Sequence, residues 1–245
     1  MAAKKNSEVV VINPLEMNVV KVKIVGDTPL IMHAWSVKAR REMLEKQLNL
    51  TKTKARDVKN PVEDFCTSAY WLTPMPTEFE PEIVDAAMET GRFGFPVTGF
   101  KQATLSASSR LGWGIAKTVL NTAFFIEKNA PGYYSGELKL SKDKKSLVTV
   151  PNVFLTFPMI EIFSDKPVMR EDMVRVGGIS KSADIRYRSE FRNWWAEAEI
   201  SYNAKGPITI DQILNALNAA GRVGGVGEWR CEKGGDYGSF HVEAI

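Results

Sequence analysis

Between Thr209 and Gly238 the chain spells out a complete helix, then a stretch of backbone rich in the one residue without a side chain. Thr209-Ile-Asp-Gln212 matches a capping box, in which hydroxyl and amide close the first helical turn reciprocally. Ile213, Leu214, Leu217 and Ala220 then fall on one face, and Gly221 is expected to stop the helix. Seven glycines follow from Gly221 to Gly238, and Tyr237 to Glu243 reads as a final strand. A phosphate-cradling loop of the nucleotide-binding kind follows a strand and opens a helix. This one does the reverse, which excludes that fingerprint.

Upstream, Val19 to Val25 alternates lysine with apolar residues, the period of a strand with one wet face. Gly26-Asp-Thr-Pro29 breaks it. Ser36 to Leu50 reads as a helix with Ser36 as N-cap, Thr51 to Lys59 as a polar connection, and Pro61 to Leu72 as a short helix. Ile83 to Glu89 adds a helical turn or two. A further helix is expected from Gly99 to Leu111, and a buried strand from Thr118 to Glu127. Gly132 to Lys145 is hairpin-like, Val148 to Phe163 one or two strands, Asp165 to Arg192 an irregular extension, and Trp194 to Asn203 a strand. Stripped of insertions the order is β, α, β, β, α, β. The expected fold is therefore α+β, a ferredoxin-like or RRM-like antiparallel sheet with two packed helices. It is read as one domain over residues 1–245, with insertions at about 31–94 and 128–192.

Forty-four per cent hydrophobic and 25% charged residues exclude a disordered chain. The apolar run behind Lys4 and Lys5 is too short for a signal peptide, and no stretch matches a membrane span, so a cytoplasmic protein is expected. Cys66 and Cys231 are isolated from each other and from both histidines, which leaves no zinc spacing and no disulfide framework. No cofactor or metal is expected. The net charge of +3 is modest, but it is laid down in blocks. Residues 21–60 hold ten basic and four acidic side chains, residues 61–91 seven acidic and none basic, and residues 92–126 four basic and none acidic.

Basic and aromatic residues interleave as a single-strand binder requires, guanidinium groups for phosphates and rings for bases. The candidates are Arg175, Lys181, Arg186, Tyr187, Arg188 and Arg192, followed by Trp194 and Trp195. Asp184, Glu190 and Glu197 are the acids that would instead pair those arginines within the protein. Lys101 and Arg110 lie on a helix without local acids. The glycine-rich loop contributes Arg222, Gly224, Gly225, Gly227, Trp229, Arg230 and Lys233, its amides being further phosphate donors. His33 is the one candidate general base for cleavage through a 2′-hydroxyl. His241 lies within the last strand and is read as structural.

The order helix, G-x-x-G-G-x-G-x-x-R over Gly221 to Arg230, strand resembles the RAMP superfamily, the RRM-like RNA-binding subunits of CRISPR effector complexes and their relatives. Phe95-Pro-Val-Thr-Gly-Phe-Lys-Gln-Ala103 is similar to the Ile-Pro-Gly-Ser-Ser-Leu-Lys-Gly segment that opens their first helix. Val22 to Leu30 is similar to their first strand and its turn. The Asp-bearing loop of target-cleaving members does not follow Leu30; Asn60-Pro61-Val62 faintly resembles that loop, but Asp57 and Asp64 do not align with its Asp, so cleavage is not carried over. The resemblance implies non-enzymatic binding of single-stranded nucleic acid, RNA ahead of DNA, and head-to-tail assembly of copies along the strand as a homo-oligomer or filament. The style of the third quarter suggests a bacteriophage-encoded relative. A metal-independent endoribonuclease using His33 is the alternative, and a subunit imitating a CRISPR backbone is a third.

Overall fold

The alternation over residues 19–25 forms a central strand of a four-stranded sheet in the computed structural model, which describes residues 14–50, 59–176 and 182–245. Lys4, Lys5, Asp57, Lys181 and nearly all of the polar connection after Leu50 lie outside the described residues. In chain order the elements are β1 (Met17–Gly26), β2 (Leu30–Met32), α1 (Val37–Gln47), α2 (Pro61–Thr67), β3 (Tyr70–Trp71), α3 (Pro81–Thr90), β4 (Phe93–Pro96) and α4 (Val97–Arg110). There follow α5 (Lys117–Ala123), β5 (Phe124–Ile126), β6 (Ala130–Leu140), β7 (Leu147–Ile162), β8 (Val168–Val176), β9 (Ser182–Phe191), β10 (Trp195–Asn203), α6 (Ile210–Val223) and β11 (Phe240–Ala244). Among the described residues no helix is long and apolar enough to cross a membrane.

The sheet order is β11-β1-β10-β5, every pairing antiparallel. With α4 between β1 and β5, and α6 between β10 and β11, this is the ferredoxin-like arrangement expected from the sequence. Val22 and Ile24 point to the helix face, where they meet Phe100, Ala103, Ile213, Leu217 and Phe240 in one buried core. Lys21 and Lys23, one residue out of phase, point to the opposite face, as the pleat requires.

The two intervening stretches complete each other rather than folding separately. β2 pairs with β9, and β9 with β8, in a second sheet. β3, β4, β7 and β6 close into a four-stranded ring. β7 is one strand of 16 residues in spite of Pro151 and Pro158. The β6–β7 register shifts at just these prolines, between the pairs Ser135↔Val153 and Glu137↔Val150, and between Ala130↔Met159 and Gly132↔Thr156. Bulges are where a ladder tolerates a residue without an N–H.

The structure differs from expectation in four places. Thr118 to Glu127 is not one strand: α5 buries Leu120, and only Phe124–Ile126 pairs with β10. A short apolar run is ambiguous between the two periods. The helix from Pro61 ends at Thr67, and Tyr70–Trp71 is strand. Asp165 to Arg192 is not irregular but holds the hairpin β8–β9. Gly221 does not stop α6, which runs on to Val223 with Gly224 as C-cap. A Cβ on Gly221 would lie 1.7 Å from the Phe240 carbonyl oxygen, so the residue lets the helix press directly on β11. Gly221→Ala should therefore destabilise the fold by about 2–3 kcal/mol, read as a lower urea midpoint at unchanged m. An unshifted midpoint would show that β11 can move aside.

Candidate nucleic-acid interface

The open face of the four-stranded sheet is where RRM domains stack bases. Here it is lined by carboxylates. Lys21 is bridged to Glu199 at 3.0 Å, and Lys23 faces Glu197 on one side and Glu243 on the other. Trp195 is stacked on Phe163 at 4.2 Å, with the Lys23 ammonium 4.8 Å from its ring centroid. Trp194 is buried and donates its indole N–H to the Thr28 carbonyl at 2.8 Å. Neither tryptophan presents a free ring, and carboxylates outnumber lysines on this face.

On the second sheet the pleat places Arg186, Arg188 and Glu190 of β9 on the same face as Arg170 and Asp172 of β8. Arg188 is only 2% exposed and donates from Nη1 to Asp172 at 2.8 Å. Arg170 bonds both Asp172 at 2.8 Å and Glu190 at 3.0 Å, and Arg192 bonds Glu190 at 2.8 Å. At the other end Arg188 Nη2 lies 3.8 Å from Glu228, which is 3.6 Å from His33 Nδ1. A ladder of alternating charge thus runs from the glycine-rich loop across β9 to β8. Burial works against ionisation of Glu190, yet the hydrogen bonds from Arg192 and Arg170 outweigh it and hold the carboxyl below its ordinary range. Glu228 is held low first by His33 beside it, and then by the charges of Arg188 and Arg186.

Acid should therefore attack this ladder. A carboxyl whose pKa is depressed by folding stabilises the fold fully above its unfolded pKa, and the contribution disappears as pH falls through the folded value. With Glu190 and Glu228 both depressed from 4.5, and His241, raised by its hydrogen bond with Asp27, adding stability as pH drops below neutrality, urea midpoints should decline only once the pH falls below about 5. Midpoints that hold steady to about pH 3 would show that neither carboxylate contributes.

Several sequence candidates are placed by the ladder. Arg188 is a buried partner of Asp172 rather than a surface cation. Arg192 is committed to Glu190, one of the acids anticipated as an internal partner. Arg186 is half-buried, its charge acting on Asp184 and Glu228. Tyr187 packs against the core from the other face of β9, and Arg175 is exposed on that other face. Lys101 sits nine residues from Arg110, about half a turn out of phase on α4. Its ammonium donates to the Phe124 carbonyl at 3.1 Å beneath the Phe125 ring, and burial lowers its pKa.

The remaining candidates converge at the outer rim of the glycine-rich loop. Arg110 from the last turn of α4 and Arg230 from the loop both bind Glu232, at 3.1 and 3.2 Å. Ser106, one turn back on α4, donates to the same carboxylate at 3.1 Å. Burial raises the Glu232 pKa, but the Arg230 and Ser106 hydrogen bonds prevail and lower it. Lys233 is exposed beside it, and exposed Arg222 occupies the last turn of the helix that feeds the loop. Two arginines therefore share one carboxylate, and two further cations lie on the adjoining turns. Trp229, 38% exposed, belongs to the same loop with φ of 51°, a left-handed conformation that costs a residue bearing a Cβ about 1–2 kcal/mol.

Two of the loop amides offered as phosphate donors are engaged within the protein. Gly224 and Gly225 both donate to the Ala220 carbonyl, at 2.8 and 2.9 Å, and both are buried. Gly227, at φ 80°, is pressed against β2, where a Cβ would lie 2.5 Å from the Ile31 carbonyl oxygen. The glycines hold the loop to the sheet, and the side chains of the rim face outward.

Among solved structures, Cmr6 from Pyrococcus furiosus is similar to this chain. The likeness covers 95% of this chain and 100% of that one, at 11% sequence identity and a TM-score of 0.39. No family model matches the chain, and no curated protein matches it. Sequence reasoning missed the ladder and Glu232. A signal for the ladder was present, since Arg170-x-Asp172 and Arg188-x-Glu190-x-Arg192 repeat charge with the period of a strand.

Proposed function

We propose that the protein binds single-stranded nucleic acid, RNA ahead of DNA, along the rim of the glycine-rich loop, without cleaving it. The observation that carries this reading is the convergence of Arg110 and Arg230 on a single carboxylate beside Lys233, Arg222 and the exposed ring of Trp229. A charge surplus next to a ring is what a phosphate backbone with unstacked bases requires. The resemblance of Gly221–Arg230 and Phe95–Ala103 to RAMP proteins supports the same reading. The acidic sheet face directs the strand away from the RRM mode, so phosphates meet the rim and a base lies on Trp229.

Labelled RNA and single-stranded DNA titrated with the protein at low salt test it. Binding should weaken as salt rises, with a slope of about 0.7 per phosphate contact. Failure of both strands to bind at about 50 mM salt sinks the reading. Head-to-tail assembly along a long strand belongs to the same proposal, and light scattering with and without that strand reads it. His33 lies 3.6 Å from Glu228, and on this reading RNA should remain intact. Products that appear with the wild type and vanish in His33→Ala would establish the nuclease instead.

A further inference from the structure

A groove of about 470 Å³ opens between the α4–α5 loop and the outer face of α6, lined by Trp113, Ile115, Gln212, Asn215, Asn218 and Ala219. Its floor is a stripe of side-chain amides spaced by three residues, which one helix face presents in a row. Its wall is the Trp113 ring, 41% exposed. Gly112 and Gly114 flank it at φ 65° and 71°, and a Cβ at either would meet nothing within 4 Å. Crowding does not demand these glycines. The left-handed backbone on both sides of the tryptophan does, and it holds the ring out from the protein.

The amides offer hydrogen bonds of one prevailing sense. Gln212 uses its Oε1 to accept from the Thr209 N–H at 3.0 Å, and Asn218 uses Oδ1 to accept from the Val242 N–H at 2.9 Å. Their NH2 groups take no part in those bonds. The Asn215 side chain makes no hydrogen bond among the described residues and brings one donor group and one acceptor. Donors therefore exceed acceptors, and no carboxylate lines the groove. A flat ligand with an apolar face and a carbonyl-rich edge satisfies both surfaces.

The groove also continues the basic rim. Arg110 binds Glu232 there and Trp113 follows three residues later, while Arg222 lies one helical turn beyond Asn218 on the same stripe.

We propose that the groove holds one unstacked keto base, uracil, thymine or guanine, of a strand whose phosphates lie on the rim; this rests on the nucleic-acid reading above. The base stacks on Trp113, and its carbonyl oxygens accept from the amides of Gln212, Asn215 and Asn218. A C4 amino group, as in cytosine, would put donor against donor there. The protein would thereby prefer certain bases rather than bind every strand alike.

The test compares oligouridylate, oligocytidylate and an abasic strand of equal length by fluorescence anisotropy. Uridine and cytidine differ only at the C4 edge and N3, so ring size and backbone charge are held constant. Oligouridylate should bind about tenfold tighter than oligocytidylate, and the abasic strand most weakly. Trp113→Ala should weaken oligouridylate about tenfold towards the abasic level, Trp113→Phe should retain stacking, and Asn215→Ala should reduce the preference for uridine. Equal, salt-sensitive binding of all three strands, unchanged by Trp113→Ala, overturns the groove while leaving the rim intact. Absence of binding by any strand overturns both.

Discussion

Replacing Arg188 with methionine should lower the stability of the protein by about 3 kcal/mol, the usual cost of breaking a buried ion pair from one side. The guanidinium is 2% exposed and Asp172 only 6%, so removing the cation leaves a carboxylate without water. Arg170 still holds the other Asp172 oxygen at 2.8 Å, which keeps the loss at the lower end of the usual range. Replacing both partners with apolar residues of similar volume, Arg188→Met with Asp172→Leu, should restore most of the stability, because desolvation of the pair offsets much of its attraction. Urea midpoints of the two singles and the double give the coupling energy directly. Additive losses would show that the ladder is held by packing rather than by charge. The double variant should also resist acid better than the wild type, since Glu228 then lacks Arg188 and keeps only His33 and Arg186 to depress it.

The central sheet and its two helices were legible because their signals are local. Lysine alternates with apolar residues in β1, and Thr209 and Gln212 announce α6 by themselves. The hairpin β8–β9 was missed, because one of its faces is made of paired charges, and its strand period is carried by arginine, aspartate and glutamate rather than by apolar residues. On α4, Lys101 and Arg110 share a helix without sharing a face, and their spacing, about half a turn out of phase, is enough to separate them. The rim was half legible. Arg110, Arg222, Trp229, Arg230 and Lys233 are visible as basic and aromatic residues, but the convergence on Glu232 joins positions 122 residues apart in the chain. The glycines suggested ligand approach, whereas their backbone is engaged with β2 and α6.

Removing Arg110 and Arg230 together should weaken single-strand binding about a hundredfold, and Glu232→Gln should strengthen it several-fold. The two guanidinium groups share one carboxylate, which partly neutralises them in the free protein. A phosphate arriving at the rim competes with Glu232 for the same donors. Deleting one charge-assisted hydrogen bond to phosphate weakens binding by about 1.5 kcal/mol, hence about a hundredfold for the pair. Taking the charge from Glu232 does the opposite, since it frees both arginines and raises the local potential by one unit. Opposite signs distinguish a binding site from a brace. Were the trio only a brace between α4 and the loop, breaking it from either side would harm the fold and binding alike. Anisotropy titrations at several salt concentrations separate the cases, because the double variant should also reduce the salt slope by about 1.4, two phosphate contacts at about 0.7 each. A double variant that binds as tightly as the wild type with an unchanged slope would place the strand elsewhere on the protein.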